Sequence, residues 1–142
     1  MARRFWIGAV AALALTAGGV LRAHHAFSAE FDANAPVTLR GPVTKVEWIN
    51  PHAWFHIDVT EPAAQKGQKW MIEAGNPHNL FRRGFSKDVI KPGMTIVVDG
   101  YASKDGTRRA NGRDLTLPSG QTLFMGSSGT GAPRDGKDAT ER

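Results

Sequence analysis

The chain has 142 residues, room for one domain and little else. Lysine and arginine outnumber aspartate and glutamate by 18 to 13, but Arg3, Arg4 and Arg22 fall in an acid-free stretch of the first 23 residues. Without them the balance is 15 to 13, a net +2, which lacks the concentrated basic stripe of a nucleic-acid surface. No cysteine is present, so disulfides, thiolate metal sites and cysteine nucleophiles are excluded. Any metal must be held by His, Asp, Glu, Met or backbone groups.

Met1 to Arg4 is short and positive, and Phe5 to Leu21 is apolar or small throughout. This is the pattern of a secretory signal, and the apolar run falls short of the roughly 20 residues that span a bilayer comfortably. The expected product is periplasmic or secreted, with no stable membrane insertion after cleavage; an uncleaved anchor is the alternative. Leu21-Arg22-Ala23 offers a cleavage site, which sets residues 1–23 as the signal and His24 as the first mature residue. Cleavage after Ala26 would place His24 where a small residue is preferred.

Residues 24–36 follow as an N-terminal arm. Phe27 and Phe31, four apart, suit a helical turn, but the segment is short and closes on Asn-Ala-Pro. An ordered arm lying against the domain is expected instead of a stable helix. The β domain is assigned to residues 37–125. In VTLRGPVTKVEWI, Leu39 and Val43 share one parity and Val46 and Trp48 the other, which predicts a bulge near Gly41-Pro42. AWFHIDVTE alternates cleanly, with Phe55, Ile57 and Val59 inward and Trp54, His56 and Asp58 outward. KWMIEAG makes a third strand with Trp70 and Ile72 on one side.

Asn76 can cap a helix with Pro77 at its first position and Gly84 at its close. TIVVDGY is a fourth strand, Lys104 to Gly112 reads as a hairpin loop, and RDLTL and QTLFM flank a Pro-Ser-Gly turn. Residues 126–142 hold no large apolar side chain and read as a disordered tail. A long bent first strand and one short helix between the third and fourth strands predict an all-β fold, a small OB-like Greek-key barrel. Another small barrel or sandwich fits the turn spacing too.

HHAFSAEFD, GPVTKVEWINPHAWFHIDV, WMIEAGNPHNLFRRGF and KPGMTIVVDGYASKDG carry a resemblance across roughly residues 24–125. In these motifs the chain resembles the small exported bacterial proteins grouped as domain of unknown function family 6152. The resemblance implies an exported OB-like barrel and supplies no catalytic residues.

All five histidines fall in three places: His24-His25, His52 with His56, and His78. Asn50-Pro51-His52 and Asn76-Pro77-His78 end the first and third strands, which run the same way in a meander and so reach the same rim. His52 and His78 are therefore expected about 10 Å apart at the backbone, close enough for their imidazoles to converge. A mature terminus at His24 adds an amine and an imidazole on one residue, a pairing that suits copper, and His25 offers a second mode. The metal expectation is thus copper or another transition metal at His24, His25, His52 and His78. The alternatives are turn and capping chemistry for the Asn-Pro-His motifs, a solvated arm, and pH sensing.

Trp54 and His56, on the outward face of the second strand, are the candidates for binding a small ligand or an envelope or membrane protein without metal. Trp48, Trp54 and Trp70 come from adjacent strands and suggest either an aromatic platform or core packing. No phosphate loop, nucleophile elbow or carboxylate pair stands out, so a non-enzymatic module is expected.

Overall fold

The segment Trp54–Asp58 shows how alternation becomes architecture: Phe55 and Ile57 are fully buried, with Val59 just beyond, while Trp54, His56 and Asp58 stay half-exposed. A computed structural model describes residues 27–126. The expected signal, His24, His25 and all of the tail beyond Gly126 lie outside the described residues. Residues 27–30 form a helical turn. Then come β1 (Phe31–Glu47), β2 (Trp54–Asp58), a 3-10 turn (Ala63–Gln65), β3 (Lys69–Glu73), α1 (Pro77–Arg82), β4 (Thr95–Ser103), β5 (Arg109–Thr116) and β6 (Thr122–Phe124).

β1 is long enough to serve two partners. Its first part pairs antiparallel with β4, from Pro36 opposite Tyr101 to Pro42 opposite Thr95. Its second part pairs antiparallel with β2, from Val43 opposite Ile57 to Glu47 opposite Trp54. β2 pairs with β3 and β4 with β5, both antiparallel. A parallel pairing of Met71–Glu73 with Arg109–Asn111 then joins β3 to β5 and closes a five-strand ring in the order β1-β2-β3-β5-β4. β6 extends the sheet beside the second half of β5. The domain is all-β with one short helix between the third and fourth strands, the ring-like arrangement of a small OB-like Greek-key barrel.

The register shift in β1 falls between Val43 and Lys45, just past Gly41-Pro42, and accounts for the change of parity. Gly41 itself is needed for close approach: a Cβ there would stand 2.0 Å from the Asp58 carbonyl oxygen. Asn76 caps α1 by accepting a hydrogen bond from the His78 N–H at 2.9 Å, with Pro77 at the first helical position. Gly84 follows at φ +95°, a left-handed position that glycine takes without steric cost. Leu80 from α1 and Phe85 just after it are fully buried with Leu39, Phe55, Ile72 and Leu115 in the main core.

Two boundaries differ from the expected ones. β1 begins at Phe31, six residues before Val37, because Phe31 is drawn into a second cluster with Phe27 and Tyr101 on the outside of the ring. Phe27 lies 5.9 Å from Phe31 and meets Tyr101 edge-on at 5.7 Å, so the helical turn is held by aromatic contacts that local propensity does not contain. β5 begins at Arg109, inside the expected loop, because Arg109–Asn111 find their partner 38 residues earlier on β3.

Candidate functional site

The two Asn-Pro-His tripeptides do meet at one rim. Asn76 donates from its side-chain amide to Asn50 Oδ1 at 2.9 Å, and the Ala53 and Ala74 backbones pair alongside. Their histidines nevertheless part company. His78 is the second residue of α1 and is exposed. His52 turns toward β3, where its Nδ1 lies 2.6 Å from Glu73 Oε1.

Glu73 has the parity of the outer face, opposite Trp70 and Ile72, yet it is only 6% exposed. The cover is the turn 27–30 together with Phe31, which lie across this face and leave a cleft of about 250 Å³. His52, Trp54, Glu73, Asn111, Phe27 and Glu30 are among its lining residues. Asn111 stands opposite Glu73 across the parallel seam and is 2% exposed; its side-chain oxygen has no hydrogen-bond partner. Glu30 is half-exposed and faces the Arg109 guanidinium at 3.6 Å.

Burial pushes the Glu73 carboxyl up to about 7, the Glu30 charge adds to the effect, and Arg109 opposes it. Burial also lowers the His52 pKa, against the pull of Glu30. Burial thus works against the charged form of each partner while holding Nδ1 and Oε1 2.6 Å apart. With Nδ1 so engaged, Nε2 is the nitrogen left for another partner. This is the arrangement that fixes tautomer and orientation behind a metal-bound or proton-transferring imidazole.

Of the expected site residues, His52 and Trp54 share this cleft. His56 does not line it: on the outer face of β1 and β2, its Nε2 lies 2.8 Å from Glu47, whose other oxygen takes Lys45. Those two hydrogen bonds, Lys45's first, hold the Glu47 carboxyl below its ordinary range. Among the described residues no group of three His, Asp or Glu side chains is placed to hold a metal ion. The three tryptophans likewise do not form one platform. Trp70 is core, Trp48 packs 5.0 Å from Phe81 and 5.6 Å from Phe55, and Trp54 alone reaches the cleft.

Glu73, Glu30 and Asn111 escaped the sequence reading. The signal for Glu73 was an acid between apolar and small residues in WMIEAG. Asn111 was hidden in a segment whose composition reads as a loop.

No match is found among the curated proteins. Among the solved structures that resemble part of the chain are three of TiaS. They are a ZRD-deleted mutant in complex with agmatine (25% identity, TM-score 0.41), a complex with an isoleucine tRNA and ATP (24%, 0.42), and the apo form of the same tRNA agmatidine synthetase (23%, 0.43). Each likeness covers 58% of this chain but only 21%, 18% and 18% of the respective TiaS chains, so this chain spans about a fifth of their length. A likeness so partial says nothing of function. The family model described as a family of unknown function, DUF6152, matches residues 10–112, and the chain belongs to that family.

Proposed function

We propose that this chain is an exported, non-enzymatic binding module of the periplasm that holds copper or a similar late transition metal at the cleft, for handling or for delivery to an envelope or membrane partner. The observation that carries the reading is His52, whose Nδ1 is tied at 2.6 Å to a buried carboxyl so that Nε2 is left to bind. Connectivity supports the rest. Phe27, a wall of the cleft, follows His25 by two residues in the sequence. Amine and imidazole from His24, imidazole from His25 and Nε2 of His52 make a nitrogen-rich set of the kind copper prefers. His78 and His56 drop out of this reading, the first by position and the second by its pairing with Glu47.

The test is a Cu(II) titration of mature protein whose first residue has been established by intact mass. Substituting His24→Ala and His52→Ala together should abolish tight binding, and Glu73→Gln should weaken it about 10- to 100-fold by releasing the imidazole. Unchanged affinity in the double variant sinks the reading.

A further inference from the structure

Three buried side-chain oxygens among the described residues have no hydrogen-bond partner: Asp58 Oδ1, Gln65 Oε1 and Asn111 Oδ1. Folded proteins pair nearly all such atoms, and an exception calls for a reason. Of these three residues only Asn111 lines the cleft. It is held there firmly, at 2% exposure, between Glu73 on β3 and Tyr101 on β4, its register partners on either side. An acceptor so placed asks for a donor that the protein does not provide.

The surroundings narrow the donor. Glu73 and Glu30 bring carboxyl groups to the same cleft, and the nearest guanidinium, Arg109, is already engaged by Glu30 at 3.6 Å and Asp105 at 3.2 Å. Asn50 and His52 also line the cleft but are engaged by Asn76 and Glu73, and the rest of the wall is apolar and aromatic, with Phe27, Phe31, Ile49 and Trp54. Ring faces attract cations, and apolar walls take an alkyl chain.

We infer that the cleft is a binding site for a small primary amine in its ammonium form, with Asn111 Oδ1 accepting an N–H hydrogen bond, the carboxyl groups balancing the charge and the aromatic wall receiving the alkyl chain. The inference rests on the cleft being a binding site and stands without the metal. Specificity comes from the N–H donors. A cation of equal charge without them leaves Asn111 unsatisfied, and an alcohol brings no charge to draw the buried Glu73 carboxyl into its ionised form.

The experiment uses uniformly ¹⁵N-labelled mature protein in EDTA, so that its outcome is independent of any metal. n-Butylammonium is titrated against tetramethylammonium, 1-butanol and butyrate, and the Trp54 indole and Asn111 side-chain amide signals are followed. Saturable shifts of both signals with n-butylammonium alone are expected. Asn111→Leu, which removes the acceptor, should weaken binding at least tenfold, and Asn111→Asp, which keeps an oxygen at that position, should retain it. The inference is overturned by no saturable shift at the wild-type Asn111 amide, by equal binding of tetramethylammonium or 1-butanol, or by undiminished affinity in Asn111→Leu. The wild-type Asn111 signal decides the matter even should the leucine variant fail to fold. Amine binding in EDTA by a protein that takes up no copper would sink the metal reading alone, and copper binding without amine binding would sink this one alone.

Discussion

Glu73→Gln should make the protein more stable at alkaline pH and change little in acid. An unfolded glutamate titrates near 4.5, whereas burial brings Glu73 up to about 7. Between those values the native state keeps a proton that the unfolded chain has released. The stability contributed by the carboxyl is therefore fully present below pH 4.5 and is lost as pH rises through about 7. Each pH unit is worth about 1.4 kcal/mol, so ionising Glu73 in place costs about 3 kcal/mol. Its side chain is only 8% exposed, so little of this is screened by solvent. Glutamine keeps the shape but never ionises. His52, whose pKa burial lowers, acts in the opposite sense below pH 6.5; it is present in both proteins and largely drops out of their difference. Urea unfolding of both proteins from about pH 4.5 to 8 reads the effect directly, and the advantage of the glutamine variant should grow by about 3 kcal/mol across that range. A difference that stays flat with pH refutes the placement of Glu73 in a dry contact with His52.

Gly41→Ala should cost about 3 kcal/mol or prevent folding, because the new Cβ meets the backbone oxygen of Asp58 at 2.0 Å; Gly106→Ala, at φ +73° with open space around it, should cost about 1 kcal/mol, both read by urea unfolding. Phe27→Ala removes the ring shared by Phe31 and Tyr101 and should loosen the turn 27–30 locally; hydrogen exchange at the Lys104 amide, bonded to the Glu30 carbonyl, should accelerate while Ile72 exchange stays slow. Asn76→Ala should cost about 1 kcal/mol for the lost cap, with a further measurable coupling to Asn50→Ala in a double-mutant cycle, since the two side chains are bonded at 2.9 Å.

What the sequence discloses about this fold is what local periodicity and turn chemistry can encode. Alternation in Phe55-Ile57-Val59 placed β2 and its buried face, and Asn76-Pro77 with Gly84 placed the helix. The parity change between Val43 and Val46 placed the β1 bulge to within a few residues. The features that escaped depend on partners distant in the chain. Arg109–Asn111 become strand because β3 waits for them on one side and β4 on the other, and Phe31 becomes strand because Phe27 and Tyr101 hold it. The site divides the same way. The shared rim of the two Asn-Pro-His turns was legible from strand direction, and the Asn50–Asn76 bond bears it out. Which histidine would turn inward was not legible, because it is decided by Glu73. That carboxyl is buried only once residues 27–31 fold over the outer face, a contact between segments more than 40 residues apart.

The parallel seam gives the cleft a mechanical character. Three residue pairs join β3 to β5, and the last of them is Glu73 with Asn111. A guest touching both side chains would span the joint like a rivet, so that parting the strands and releasing the guest become a single event. Amides along Met71–Glu73 and Arg109–Asn111 would then report occupancy by their resistance to exchange, at a place where most of the barrel would register nothing.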